Sequence, residues 1–389
     1  MPFYVSQGAL PPKRHIQFRK ADGELYAEEL LSTKGFESVY SLLYHLRPPT
    51  ATLEVRPWER PLARFLPNDP LLNRHLRAQR IESKGNAVEA RVPVLGNDDI
   101  VISVAEVTAP MEWFYRNASG DELLFIHEGE GVVESVLGEL AYRRHDFVVI
   151  PCGITWRLRP TTPTRMLVHE SSGAITIPKK YRNAYGQLLE LAPYYERDFR
   201  APVLGAPVDA TGTFEVRVTS RGRSAIYTLQ NHPFDVAGWD GYCYPYAFNA
   251  HDFAPLVGQL HLPPPVHQTF EAPGAAFCVF VPRPFDFHPQ AIPVPYFHSN
   301  VDCDEVLYYA SGNFMSRRGI EGGSITIHVP GAWHGPQPGT IEAALGTKET
   351  NELAPMVDTF RPLRLSEAAF TVEDRAYYAS WASGVGAPR

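Results

Sequence analysis

Two histidines and one glutamate in the last third of the chain have the types and spacing of a metal site. His298 and Glu305 are seven residues apart, and His334 follows a turn made by Pro330 and Gly331. Two imidazoles and one carboxylate leave up to about three coordination positions open, which suits an Fe(II) ion that binds a substrate and dioxygen together. A structural zinc site is instead closed, usually by about four nitrogen or sulfur ligands. The three residues therefore predict a catalytic metal centre.

The chain also contains an internal repeat. In each copy an aromatic residue is followed by Asn after three residues, by Glu after five more and by Gly after a further seven. The first copy comprises Phe114, Asn117, Glu122 and Gly129, and the second comprises Phe297, Asn300, Glu305 and Gly312. Each copy later has a Pro/Gly turn that ends in a large ring. Two such copies predict two related β-barrels in one chain.

Only the second copy retains a complete set of ligands. Tyr115 stands where His298 stands in the second copy, and Trp156 stands where His334 stands. Glu122 is therefore what remains of the three ligand types, and one carboxylate does not hold a transition metal. We expect the N-terminal barrel to be a scaffold without metal and the C-terminal barrel to hold the ion.

The spacing inside the second copy leaves one ligand open to question. A strand alternates its side chains between two faces, so His298 and Glu305 share a barrel interior only if a turn or bulge separates them. Residues 301–303 can supply that irregularity. Asp304 is a rival ligand directly before Glu305. We prefer Glu305 because it keeps the offset to Gly312 and because a glutamate occupies the matching place in the first copy.

Composition and charge indicate the fold class and exclude some partners. The 389 residues include 36 prolines and 29 glycines, which disfavour long helices. Short β-branched and aromatic runs separated by glycine turns predict an all-β protein of sandwiches or barrels. A net charge of −7 argues against nucleic acid or an anionic membrane as a partner. The four cysteines lack CxxC spacing, and no signal or membrane-spanning segment is recognisable, so we expect a cytoplasmic protein.

The change in texture along the chain suggests three segments. Residues 1–105 form an N-terminal arm with extra strands, a helical pattern at residues 25–31 and little chemistry. Residues 106–215 form the metal-free barrel. Residues 216–389 form the iron-binding barrel, with a helix expected near residues 371–381.

The motifs around the ligands resemble those of the cupins, with the second histidine of the first cupin motif replaced by Asn300. Further strings resemble the homogentisate 1,2-dioxygenase family, bicupin iron enzymes that open the ring of a hydroquinone acetic acid. These strings lie at residues 25–30, 231–236, 238–239, 245–246, 295–298 and 334–336. The most specific are the string at 231–239 and the Pro-Tyr-Phe-His string that ends at His298.

The resemblance implies a bicupin with two jelly-roll β-barrels or sandwiches, an N-terminal arm and few short helices. It implies Fe(II) held by His298, Glu305 and His334. The substrates would be dioxygen and homogentisate, or a related hydroquinone or hydroxylated aromatic acid, within aromatic amino acid (tyrosine and phenylalanine) catabolism. Homogentisate would give maleylacetoacetate. The family also implies a homo-oligomer, a trimer or a hexamer.

The resemblance further implies pocket residues. His261 matches the family's acid/base histidine in its H-x-x-P context, and His267 is the alternative. A histidine with a pKa of about 6.5 can take a phenolic proton at neutral pH. His328 precedes the last ligand by six residues and is expected in the pocket, as are Tyr296 and Phe314.

Two departures from the family leave the substrate open. Ser299 replaces an arginine after the first ligand, and Phe314 replaces a pocket tyrosine whose hydroxyl could hold a polar substituent. Two other functions also fit the motifs. One is a cupin metalloenzyme of another class, such as a manganese- or zinc-dependent isomerase or hydrolase. The other is a non-enzymatic bicupin that binds a small ligand.

Overall fold

The structure, a computed structural model, describes residues 2–60 and 63–382. Met1, Pro61 and Leu62 of the predicted arm and residues 383–389 of the predicted C-terminal barrel lie outside the described residues. The fold is all-β, as composition and motifs predicted. The helices of the described residues are α-helices at Thr340–Ala344 and Glu367–Thr371 and 3-10 turns at Ala78–Arg80, Lys179–Tyr181, Glu196–Asp198, Ala250–Asp252, Pro264–His267 and Tyr377–Ala379. No described helix has the length and apolar character needed to cross a bilayer.

Two large sheets form around the first copy of the repeat. Within the described residues a nine-stranded sheet runs in the order Phe199–Arg200, Tyr246–Asn249, Asp146–Ile150, Glu122–Glu128, Thr164–Ser171, Ile100–Val107, Val92–Gly96, Arg364–Ser366 and Phe65–Pro67. A seven-stranded sheet of the same part of the chain runs in the order Gly138–Tyr142, Gly131–Ser135, Thr155–Pro160, Phe114–Asn117, Thr211–Ser220, Arg223–Asn231 and Thr52–Pro57. Phe125 of the first sheet and Trp156 of the second are fully buried in one apolar cluster.

A six-stranded sheet carries the second copy. Its described strands run in the order Gln268–Ala272, Ala275–Phe280, Ala354–Thr359, Asp304–Tyr308, Ile325–His328 and Arg74–Leu76, and a ribbon of Arg283–Pro284 and Glu349–Thr350 lies apart from it. The Tyr308 hydroxyl bonds Nδ1 of His127 at 2.9 Å, and its ring lies 6.0 Å from that of Phe125. The strand that carries Phe125 and His127 is therefore buried on both faces, between the two copies.

A small sheet corrects one expectation about the arm. It runs in the order Val5–Gly8, Val236–Gly241, Tyr40–His45 and Ala27–Ser32. The helix that the pattern at residues 25–31 predicted is thus wrong, because antiparallel pairing with Tyr40–His45 overrides the local helix propensity. The helix expected near residues 371–381 is also wrong: an α-helix ends at Thr371, and a 3-10 turn follows at Tyr377–Ala379.

Sheet pairing joins the three predicted segments. Arg74–Leu76 of the arm extends the six-stranded sheet, and Thr52–Pro57 pairs with Arg223–Asn231. Arg364–Ser366, from near the end of the chain, pairs with Val92–Gly96 in the nine-stranded sheet. The division at residues 105 and 215 stays a prediction.

The two copies of the repeat have the same local pairing. Tyr115 pairs with Trp156 in the first copy, and His298 pairs with His334 in the second. On the neighbouring strands Glu122 pairs with Ile150, and Glu305 pairs with His328. The same strand pairing therefore places Tyr115 and Trp156 side by side in the first copy and His298 and His334 side by side in the second.

Candidate metal centre

The structure brings His298, Glu305 and His334 into one cluster. One ligand atom from each residue lies within 4.8 Å of the others. Nε2 of His298 is 3.8 Å from Oε2 of Glu305, and Nε2 of His334 is 3.5 Å from Oε1. The β-bridge between the two histidines and the strand Asp304–Tyr308 hold the three side chains in place.

Both imidazoles are oriented by backbone carbonyls. Nδ1 of His298 donates to the Tyr296 carbonyl at 2.8 Å, and Nδ1 of His334 donates to the Ala332 carbonyl at 3.2 Å. This arrangement leaves each Nε2 free to bind a metal ion. Nε2 of His334 is buried and makes no hydrogen bond within residues 2–60 and 63–382. An unsatisfied buried nitrogen is costly, and a metal ion at the cluster would satisfy it.

Glu305 has the charge state of a ligand. Burial favours its neutral acid form, but interactions with His298, His328 and His334 outweigh burial and hold the pKa of Glu305 well below its usual range. The side chain is therefore a carboxylate at neutral pH. Two imidazoles and a carboxylate fit the donor set of an Fe(II) enzyme that keeps coordination positions open.

Asp304, the rival ligand, faces another part of the structure. Its Oδ2 accepts a hydrogen bond from the Leu363 amide at 2.6 Å. Neighbouring residues of a strand point to opposite faces, so the strand that directs Glu305 into the cluster directs Asp304 away from it.

His328 lies behind the ligands, and this differs from the expectation that it lines the pocket. Its Nδ1 is 2.7 Å from Oε1 of Glu305, and its side chain has no exposed surface. Its Nε2 is 3.2 Å from the Tyr377 hydroxyl. Burial lowers the pKa of His328 to about 4, so the imidazole is neutral. Its direct neighbour is the carboxylate ligand, because Glu305 and His328 are paired across two strands.

A cavity of about 350 Å³ borders the cluster at His298 and Glu305. Three residues that the sequence placed in the pocket, His261, Tyr296 and Phe314, line it. Phe314 is buried, with its ring edge-on to Tyr309 at 4.7 Å.

Both candidate acid/base histidines also border the cavity. The His261 side chain is 42% exposed, and its Nδ1 lies 3.8 Å from Asp286. His267 is buried, and its Nδ1 has no hydrogen-bond partner in the described part of the chain. Burial, together with the charge of Arg283, lowers the pKa of His267 to about 3. The two side chains thus differ in exposure, and His267 is a weak base.

The cavity wall includes a half-buried cation, Arg317, that the sequence motifs do not indicate. Arg283 pairs with Glu352 at 3.0 Å, whereas Arg317 donates to the carbonyls of Gly335 and Ser316. Within the described part of the chain Arg317 forms no ion pair closer than 4.0 Å. The sequence gives little indication of Arg317, because it stands next to Arg318 in a loop, as arginines exposed to solvent often do.

In the first copy of the repeat an arginine contacts Glu122, the residue that corresponds to Glu305. The side chains of Arg91 and Glu122 are both fully buried and form an ion pair, and Arg91 also lies 3.2 Å from Glu170. The guanidinium carbon is 5.7 Å from the centre of the Tyr115 ring. The arm was expected to carry little chemistry, yet its Arg91 supplies the positive charge that balances Glu122.

Comparison with known proteins identifies the family. Residues 4–250 match the family profile described as homogentisate 1,2-dioxygenase N-terminal. The chain belongs to the homogentisate 1,2-dioxygenase family. This confirms the resemblance that the sequence motifs indicated.

Two proteins of similar sequence and one solved structure of similar fold can be compared with this member of the homogentisate 1,2-dioxygenase family. The Saccharolobus solfataricus protein named "Putative dioxygenase SSO1533" is 40% identical over 384 residues, which cover 98% of this chain and 99% of that protein. Homogentisate 1,2-dioxygenase of Emericella nidulans is 29% identical over 253 residues, which cover 60% of this chain and 53% of that enzyme. A cupin 2 conserved barrel domain protein from Leptotrichia buccalis has a TM-score of 0.37 and 8% identity, over 75% of this chain and 99% of that protein.

Proposed function

We propose that this family member is an Fe(II)-dependent ring-cleaving dioxygenase that acts on homogentisate or a closely related hydroxylated aromatic acid. The observation that carries the proposal is the cluster of His298, Glu305 and His334 at the border of a cavity of about 350 Å³. With homogentisate as substrate, the product would be maleylacetoacetate.

The two Nε2 atoms and the carboxylate would hold the ion. Bound there, Fe(II) would supply open positions for a phenolic oxygen of the substrate and for dioxygen. Both atoms of dioxygen would enter the ring-opened product. The protein's own part is to fix the imidazoles through the Tyr296 and Ala332 carbonyls and to keep Glu305 ionised. Tyr296 and Phe314 would hold the substrate ring between them at the cavity wall.

We propose different roles for the two cavity histidines. His261 would accept the phenolic proton, because its half-exposed side chain can return that proton to water or to Asp286. His267, with a pKa of about 3, is too weak a base for that step at neutral pH. It would instead serve as a neutral hydrogen-bonding group that orients a ring hydroxyl. Replacing His261 by Gln should lower kcat and alter the acidic limb of the pH profile. Replacing His267 by Gln should mainly raise KM.

Arg317 favours a substrate that carries an acidic group. A half-buried guanidinium beside a cavity, without an ion-pair partner among the described residues, is suited to bind a carboxylate in a charge-assisted pair. The carboxylate of homogentisate would supply the missing partner. The positive charge of Arg317 thus favours an aromatic acid over an unsubstituted hydroquinone, even though Phe314 lacks the family's hydroxyl.

The test is oxygen uptake by the purified protein loaded anaerobically with Fe(II), with homogentisate, gentisate and simple hydroquinone as substrates. We expect uptake with a ring-opening change in absorbance, fastest with an acid. Glu305→Ala should abolish it. Absence of uptake with every substrate at full iron occupancy would reject the dioxygenase. Turnover without oxygen would instead support an isomerase or hydrolase.

The oligomeric state, a trimer or a hexamer, stays a prediction, which light scattering would test.

A further inference from the structure

A buried set of hydrogen bonds extends from the metal ligand Glu305 to the C-terminal part of the chain. Oε1 of Glu305 lies 2.7 Å from Nδ1 of His328, and Nε2 of His328 lies 3.2 Å from the hydroxyl of Tyr377. The Tyr377 hydroxyl also interacts with the guanidinium of Arg317. Glu305 and Arg317 both border the cavity, so the two ends of the set reach the site where the substrate would bind.

The donors and acceptors in this set can be assigned from chemistry. An ionised Glu305 only accepts hydrogen bonds, so Nδ1 of His328 must carry the proton. A neutral imidazole then has an acceptor at Nε2, which requires Tyr377 to donate its hydroxyl proton. Arg317 and Thr326 also interact with the Tyr377 hydroxyl; a guanidinium only donates, so the interaction with Arg317 is compatible with a hydroxyl that donates to His328.

The segment that carries Tyr377 is fixed to the loop after His334. Nε1 of Trp381 donates to the Gly335 carbonyl at 2.9 Å, and Nε2 of Gln337 donates to Oγ of Ser380 at 2.8 Å. The Tyr377 ring packs against Trp381 at 5.0 Å. The hydroxyl is therefore held in position by packing that does not depend on the metal centre.

We propose that Tyr377 is a positioning residue of the metal centre, whose hydroxyl holds the His328 ring in place through Nε2 and thereby orients Glu305 as a ligand. The inference rests on the proposed metal site. Groups that orient metal ligands typically contribute about 10- to 100-fold in metal affinity, and their loss leaves the ligand set itself intact.

The test is the dissociation constant of Co(II), read from its visible absorption, in the full-length protein. Tyr377→Phe should weaken binding by about 10-fold or more. Tyr378→Phe, at an exposed neighbour of the same type, should leave the constant unchanged. The metal-free Tyr377→Phe protein should unfold at a modestly lower temperature, because Nε2 of His328 loses its buried donor while the ring packing remains, and the Co(II) titration is done well below that transition.

A double-mutant cycle separates positioning from a general structural role. If Tyr377 acts through His328, adding Tyr377→Phe to His328→Gln should cause no further loss of Co(II) affinity. Wild-type affinity in Tyr377→Phe, or losses that add in the double variant, would overturn the inference while leaving the metal site intact. A wild-type protein that binds no Co(II) would overturn the metal site as well.

Discussion

Replacing Arg91 by Met would show whether the first copy of the repeat uses a guanidinium where the second would use a metal ion. The Arg91 and Glu122 side chains have no exposed surface, and Glu170 is 18% exposed. Removing one member of a buried ion pair leaves an uncompensated charge and typically costs about 3–5 kcal/mol. We expect a loss of that size in the free energy of unfolding, with the Co(II) affinity of the second copy unchanged.

Urea unfolding of matched variants measures this cost. Arg91→Met combined with Glu122→Gln should recover much of the loss, because the double variant no longer buries that unpaired charge. Arg56→Met breaks a surface pair with Glu215 and should cost less than about 1 kcal/mol. A loss below about 1 kcal/mol in Arg91→Met, or a double variant as unstable as the single one, would refute the reasoning.

Three further predictions concern charge at other positions. Burial disfavours a charged His45, but hydrogen bonds with Asp235 and Glu29 outweigh burial and raise its pKa to about 9. The stability advantage of the wild type over His45→Gln should therefore be full below about pH 6.5 and be lost as pH rises through 9; equal differences in urea unfolding at pH 6 and pH 10 would contradict this. Arg317→Met should raise KM for homogentisate about 10- to 100-fold and change KM for simple hydroquinone much less, since it removes a charge-assisted pair; steady-state oxygen uptake showing equal rises for both would argue against a carboxylate contact. Asp304→Asn should leave the Co(II) dissociation constant within about threefold of wild type, because its partner is the Leu363 amide; a large loss in the same titration would make Asp304 a ligand.

The proximity of His298, Glu305 and His334 could be predicted, because the spacing of these residues in the sequence repeat indicates it. The repeat placed His298, Glu305 and His334 in positions equivalent to those of Tyr115, Glu122 and Trp156, and the two copies do pair in the same way. Asp304 and Glu305 could not be separated by spacing alone. The strand that alternates their side chains places Glu305 in the cluster and directs Asp304 away from it, and the ligand role of Glu305 stays a prediction.

The surroundings of the cluster could not be predicted because they come from distant segments. Arg91 meets Glu122 across 31 residues, and Tyr377 meets His328 across 49. Neither contact leaves a pattern in the local sequence. His328 was identified as a residue of interest, but only its cross-strand pairing with Glu305 shows that it lies behind the ligands.

The same limit applies to local secondary structure. Residues 25–31 have a helical pattern, yet Ala27–Ser32 is an edge strand because Tyr40–His45 pairs with it. Propensity is a weak preference, and a neighbouring strand supplies the larger energy.

The most direct measurement is the iron content of the anaerobically loaded protein together with the electron paramagnetic resonance spectrum of its nitric oxide adduct. Nitric oxide needs an open coordination position, so the spectrum tests both the ligands and the vacancy beside them. We predict one Fe(II) per chain with a nitrosyl signal in the wild type, and neither in His298→Ala. Iron that binds equally well without His298, or iron that does not take up nitric oxide, would contradict the account.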